Sequence, residues 1–283
     1  MSKGECMKVL SLIENISNSE NLYCEHGLSL FVQTDKHKIL FDTGASEDFI
    51  KNAEVLGVDL REVDIAIISH GHYDHGGGLK AFLELNKKAN VYINKKAFEK
   101  YYAKREDGTM EYIGLDRKLF LNDRFIFTQD YLKIDENLEL FSGVKGNTLN
   151  PTGNKVLFMQ TDTCPKAKLD TFEHEQNLLI TQDGKSLLLA GCAHRGIVNI
   201  IEHMHRVLDR QDATVVIGGF HLFNLSDTKQ EDIDFIKQIA DKLKDTKSAY
   251  YTCHCTGAQA YEVLKEAMGE QINYLATGNQ III

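Results

Sequence analysis

The 283-residue chain has no apolar run of about 18 residues, so nothing in it reads as a membrane-spanning helix. Residues 1–8 are polar and lack an apolar core of signal-peptide length. The six cysteines (Cys6, Cys24, Cys164, Cys192, Cys253 and Cys255) make no zinc-ribbon pattern and read as reduced thiols. A cytoplasmic protein is the expectation. Basic residues are in deficit, with 32 Lys and Arg against 41 Asp and Glu and a net charge of −9. That balance argues against a nucleic-acid binder. No repeat of short fixed period is present. The remaining composition, 43% hydrophobic and 26% charged, is ordinary for a globular chain and ample for a core.

The most informative stretch is 65–79. Ile65, Ala66, Ile67 and Ile68 form an apolar, β-branched run that predicts a buried strand. His70, His72, Asp74 and His75 follow, then Gly76, Gly77 and Gly78, then the helical pattern Leu79, Phe82 and Leu83. Imidazoles with a carboxylate suit zinc, manganese or iron better than calcium or magnesium. A polar loop with ordinary surface histidines is the competing reading. His-x-His-x-Asp-His backed by glycines favours the metal.

Elsewhere the pattern predicts strands over 7–16, 28–34, 38–41 and 90–93, and helices over 46–56 and 95–102, the first capped by Ser46. Order weakens after residue 95, and 95–170 reads as an insertion or lid over the site. Asp183-Gly184 between two apolar runs predicts a hairpin. Three further apolar runs then end in histidine: His194 after 186–190, His221 after 213–217 and His254 after 249–252. Helices are expected over 197–208, 229–243 and 258–268, and a closing strand over 274–277 with 281–283. Histidines at several strand ends are how an α/β scaffold gathers a site on one edge.

His-x-His-x-Asp-His resembles the signature of the metallo-β-lactamase superfamily. Glu-His-Gly-Leu-Ser-Leu, Leu-Phe-Asp-Thr-Gly, Gly-Cys-Ala-His-Arg-Gly, Gly-Gly-Phe-His-Leu and Cys-His-Cys-Thr-Gly, in this order, are similar to one branch of it. That branch is named for the archaeal dihydropterin ribofuranosyl-aminobenzene phosphate synthase of methanopterin biosynthesis. The resemblance implies one αββα domain over 1–283, a sandwich of two mixed β-sheets flanked by helices. It also implies two divalent metal ions, zinc first, with manganese or iron as alternatives. His70, His72 and His194 would hold one ion, and Asp74, His75 and His254 the other.

Where the family carries a bridging Asp, this chain reads Ala-Gly-Cys-Ala-His, so either His194 or Cys192 takes a ligand place. His194 is preferred, because a thiolate bridge would quench Lewis acidity. His174 is the weaker ligand candidate, and Glu175 a supporting one. His221 resembles an acid–base histidine of ribonuclease Z-like members; Asp74 is the other catalytic candidate, and Asp42 would orient a ligand. His26 reads as structural, His37 as a turn residue, and His203 and His205 as solvated. Tyr101, Tyr102, Arg105, Arg117 and Lys118 are open to an anionic substrate or are ordinary surface.

The expected activity is hydrolysis, or processing of a phosphate ester or diphosphate, on a small anionic metabolite. A flavodiiron-type redox role is disfavoured, because those proteins carry Glu at the position of His72 and need a flavin domain. A non-catalytic metabolite sensor on the same scaffold is the alternative, separable by its lack of turnover.

Overall fold

The computed structural model describes residues 6–224 and 229–283, so most of the polar stretch 1–8 lies outside it. Two seven-stranded sheets dominate. The first runs in the order Gln280–Ile282, Lys8–Ile13, Ser29–Gln33, Lys38–Phe41, Ile65–Ile68, Asn90–Asn94, Phe125–Thr128. The second runs Tyr131–Lys133, Leu138–Ser142, Gln176–Gln182, Lys185–Leu189, Val215–Gly218, Ala249–Thr252, Ile272–Tyr274. In that order each sheet makes three antiparallel pairings and then three parallel ones. The two halves therefore repeat one topology, with hairpins first and strand–helix units after.

Side-chain alternation along the strands builds the layers. Val9, Leu30, Phe41, Ile65 and Ile67 of the first sheet meet Leu140, Leu178, Leu189 and Ile217 of the second in the central core. The opposite faces carry Leu10, Leu40 and Ile68 towards helices Asp48–Val55 and Leu79–Leu85, and Leu188 and Val216 towards Ile197–Arg206, Ile233–Lys244 and Ala258–Met268. This is the αββα sandwich. Ile65–Ile68 is wholly buried because parallel neighbours flank it and both its faces are covered, which is why it is apolar throughout.

Several expectations need correction. Residues 95–170 are not one continuous insertion: Phe125–Thr128 and Leu138–Ser142 belong to the main sheets. Lys100–Lys104, Met110–Tyr112, Leu157–Thr161 and Cys164–Leu169 form a separate four-stranded antiparallel sheet. The helix expected over 95–102 is a short 3₁₀ turn, Lys95–Phe98, followed by the strand Lys100–Lys104. Pairing with Leu157–Thr161 outweighs local preference there. The expected closing strand is two strands in different sheets, Ile272–Tyr274 and Gln280–Ile282. The helix expected from 229 starts at Ile233, where Asp232 caps it.

Candidate metal centre

The parallel strands end at one edge, and the loops leaving them carry the histidines. Four non-glycine residues on these loops have left-handed backbone: Asp42, Ala193, His221 and His254, at φ 61°, 51°, 50° and 51°. Such conformations cost about 1 kcal/mol or more each and collect at functional sites. Glycine serves close approach here. A Cβ on Gly77 would sit 2.2 Å from the Ala45 carbonyl, and one on Gly191 would sit 2.2 Å from Ser69 Oγ.

His70, His72 and His194 converge, with ligand atoms within 4.8 Å of one another. All three are buried, and the Nε2 of each has no hydrogen-bond partner among the described residues. His72 Nε2 has Asp170 Oδ2 at 3.7 Å, beyond hydrogen-bond reach, so three buried ring nitrogens without a hydrogen bond converge, which is costly unless a cation takes them up. Ser69 Oγ donates to Asp42 Oδ2 at 2.7 Å and accepts from His70 Nδ1 at 2.9 Å, which leaves His70 Nε2 as a lone pair. Asn154 does the same for His194, with Oδ1 3.1 Å from Nδ1 and Nδ2 donating to the His194 carbonyl at 2.7 Å. Burial first, then the neighbouring histidines, holds His70 and His194 well below the usual imidazole range, so both are neutral donors.

Asp74, His75, Cys192 and His254 form the second cluster. His75 Nε2 lies 3.1 Å from Cys192 Sγ and 3.2 Å from His254 Nε2, while Asp74 Oδ2 is 3.3 Å from His254 Nε2. Asp42 Oδ2 accepts His75 Nδ1–H at 2.7 Å, and Asn15 Oδ1 accepts His254 Nδ1–H at 2.8 Å. Both Nε2 atoms thus face each other as lone pairs, an arrangement that needs a shared positive charge. Although burial opposes charge on His75, Asp42 and Asp74 push it up to about 9. Burial, and next Cys255, pushes the Cys192 thiol well up, so a thiolate there requires a cation. The residues of both clusters fit metal ions.

His221 borders both clusters. Its ring centroid is 4.3 Å from that of His194, and neither ring nitrogen has a hydrogen-bond partner among the described residues. Its backbone N–H donates to Cys255 Sγ at 3.3 Å, and His221, Cys192 and Cys255 form a further close group. The cleft above is small, about 60 Å³, and is lined by Tyr73, Phe223 and His26 together with Ala103, Arg105, Ile113 and Leu157 of the separate sheet and its flanks.

His174 lies apart as a ligand. Its Nδ1 accepts the Gly71 N–H at 2.9 Å and its Nε2 donates to Asp170 Oδ2 at 3.0 Å, so both nitrogens are used. Glu175 supports the site through backbone, accepting the N–H groups of His194 and Arg195 at 2.6 and 3.0 Å. His26, expected to be structural, reaches Asp74 Oδ2 at 3.3 Å. Tyr101 is fully buried against His174 and donates to the Lys96 carbonyl, so it is no surface contact. Tyr102 bonds Gln160, Arg117 pairs with Asp162 outside the cleft, and Lys118 is exposed. Only Arg105 of that group lines the cleft, and it also pairs with Glu111. His203, expected to be solvated, stacks on Phe141, and His205 pairs with Asp212. Asn15, Asn154, Ser69 and Asp170 carry no signal in sequence.

The family profile described as the Metallo-beta-lactamase superfamily matches residues 22–195. The chain belongs to the metallo-β-lactamase superfamily. A crystal structure described as a metal-dependent hydrolase of the beta-lactamase superfamily is 31% identical, with a TM-score of 0.79, covering 98% of this chain and 99% of that one. A protein of Methanocaldococcus jannaschii named 7,8-dihydropterin-6-methyl-4-(beta-D-ribofuranosyl)-aminobenzene-5'-phosphate synthase is 26% identical over 99% of this chain and 98% of its own length. A diphosphatase of the PhnP family shares the fold at 13% identity and a TM-score of 0.52. Against the superfamily pattern, the strand end that usually carries a bridging Asp here carries Cys192, whose Sγ sits in the second cluster while His194 joins the first. Both alternatives at that strand end are therefore drawn into the centre.

Proposed function

We propose that this superfamily member is a two-metal hydrolase, or a phosphate-ester- or diphosphate-processing enzyme, acting on a small anionic metabolite of phosphorylated or pterin-like kind. The observation that carries the reading is the pair of buried donor clusters beneath one cleft, one of them with three orphaned imidazole nitrogens. His70, His72 and His194 would hold one ion; Asp74, His75 and His254, with Cys192, would hold the other. Nitrogen, sulfur and carboxylate donors together suit zinc, and iron next. When bound, such ions lower the pKa of water and polarise a phosphoryl oxygen.

The side chains supply the rest. His221, unpartnered on the cleft wall, exchanges a proton with the leaving group. Asp74 keeps its charge: burial would raise it, but His75, His254 and His26 hold it well below the usual carboxylate range. So charged, it accepts from the His26 N–H and is open to a cation, and its catalytic part is to hold both in place. Arg105 on the rim faces the anionic part of a substrate whose reacting end alone enters so small a cleft. The synthase named among the relatives supports the phosphorylated pterin-like class, and the hydrolase supports the metal chemistry. All six cysteines are free, which supports a reducing, cytoplasmic setting.

Elemental analysis of protein purified without added metal tests this directly. About two equivalents of zinc, iron or manganese are expected, and under about half an equivalent refutes the reading. A panel of phosphodiesters, diphosphates and thioesters should then show chelator-sensitive turnover. Tight retention of a co-purified metabolite without any turnover would make the protein a sensor instead.

A further inference from the structure

Asn15 follows the first strand and belongs to neither donor cluster. Its Nδ2 lies 3.4 Å from the His254 carbonyl and 3.3 Å from His26 Nδ1, and its Oδ1 lies 2.8 Å from His254 Nδ1. A carbonyl only accepts, so the amide nitrogen must face it, which fixes the orientation of the amide. The amide oxygen only accepts, so His254 carries its proton on Nδ1 and leaves Nε2 bare. The amide nitrogen only donates, so His26 Nδ1 is bare and its proton sits on Nε2. That Nε2 lies 3.3 Å from Asp74 Oδ2, and the His26 ring lies against His254 with centroids 4.6 Å apart.

We propose that Asn15 and His26 are positioning residues for the second cluster: one amide sets the tautomer of both histidines, and His26 then donates to Asp74 Oδ2, the oxygen that also lies 3.3 Å from His254 Nε2, and so holds that carboxylate in the cluster. The loop geometry agrees, since the Leu28 N–H donates to the Asp74 carbonyl at 3.1 Å and Gly27 lies directly against it. A second strand end of the same sheet has the same clamp without the extension: Asn154 holds His194 by ring and carbonyl alike. The inference rests on the two-cation reading above. A loop filler at position 26 would tolerate any side chain of similar size; a donor to Asp74 requires an N–H at the Nε2 position.

The test titrates the full chelator-stripped chain with Zn²⁺ by calorimetry, and with Co²⁺ by the thiolate-to-cobalt absorption that Cys192 gives to the second cluster. Asn15→Leu and His26→Leu should weaken the second binding step about 10–100-fold while the first step stays unchanged. His26→Gln, which keeps an N–H near Nε2, should stay within about threefold of wild type. Asn15→Asp, which still accepts from His254 but cannot donate to His26, should lose about tenfold. The first step and the melting point of the metal-free variants control for folding. Equal loss in His26→Gln and His26→Leu, an unchanged second step in all variants, or parallel loss of both steps overturns the positioning role. Wild-type protein that binds fewer than two cations instead refutes the two-cation reading, and this inference with it.

Discussion

Replacing Asp42 by Asn removes one charge and one acceptor from a buried position without changing its shape. Oδ1 of Asp42 accepts the Ser69 N–H at 2.7 Å, while Oδ2 accepts the Ser69 hydroxyl and His75 Nδ1–H, each at 2.7 Å. An amide oxygen kept at Oδ1 leaves an NH₂ opposite two donors. His75 must then move its proton to Nε2, the atom facing Cys192 and His254, and the second cluster loses a lone pair. Two magnitudes follow. In the metal-free protein His75 holds its proton up to about 9 rather than the ordinary 6.5. A pKa raised on folding stabilises fully below the unfolded value and is lost as pH rises through the folded one. Here that window runs from about 6.5 to about 9, and the shift corresponds to about 3 kcal/mol. Asp74 shares in raising His75, so Asp42→Asn should remove a pH-dependent part of that stability, on the order of 1–3 kcal/mol near pH 6 in the chelator-treated protein, with the gap narrowing towards pH 9. Second, an ion entering the cluster displaces the His75 proton, so wild-type affinity at that step should rise about tenfold per pH unit between about 7 and 9. The variant should bind there about 10–100-fold more weakly. Denaturant melts and calorimetric zinc titrations across that pH range measure both. A stability gap independent of pH, or a second step within threefold of wild type, would refute the reasoning.

Three further outcomes are expected. His221→Asn should keep the full metal content by elemental analysis yet lower kcat about 10²–10⁴-fold; lost metal instead would make His221 a ligand. Cys192→Ser should abolish the thiolate-to-cobalt absorption and leave binding at His70, His72 and His194 intact, and persistence of the band would point to Cys255. Gly191→Ala puts a methyl 2.2 Å from Ser69 Oγ and should cost about 1–3 kcal/mol in a denaturant melt, with weaker metal uptake as Ser69 is pushed from His70; unchanged melting would mean that the strand end yields freely.

The sequence made the first four donors legible because they are local: a buried strand followed by His70, His72, Asp74 and His75 needs no knowledge of the fold. His194, His221 and His254 were legible through a repeated pattern, an apolar run that stops at a histidine. The sandwich came from the family resemblance, and the wholly apolar strands, which must be covered on both faces, agree with it. What escaped depends on pairing between distant segments. Phe125–Thr128 and Leu138–Ser142 look like fragments of a lid until each is seen paired to a main sheet. Lys100–Lys104 has a helix-like composition and becomes a strand through pairing alone. Asn15 falls near the end of the strand expected over 7–16, and its meaning comes from His254, 239 positions away. Cys192 stands second to His194 on chemical grounds, and the fold puts the two in different donor clusters, a separation that their closeness in sequence does not show.

The same separation explains two acids that look misplaced in a core. Glu14 and Glu175 are both buried, and burial, partly offset by the backbone N–H groups they accept, raises both. Charge there is costly at neutral pH. Yet Glu14 Oε2 accepts the N–H of His254, itself in left-handed backbone, at 3.0 Å. Glu175 accepts the N–H groups of His194 and Arg195, which directly follow the left-handed Ala193. Each acid thus holds a strained turn that carries a ligand histidine, and both turns leave parallel strands of the second sheet. Each of these two turns also has an asparagine amide clamped on the ring and carbonyl of its histidine, Asn15 on His254 and Asn154 on His194. Strain, a buried charge and an amide clamp recur together at both turns, which is the pattern expected where ligand position outweighs stability. His221, also left-handed, has a sulfur acceptor for its N–H and no hydrogen-bond partner on its ring. The scaffold fixes the backbone of that residue and packs its imidazole against His194 beside Cys192 and Cys255, between the two clusters, which suits a group that moves a proton there.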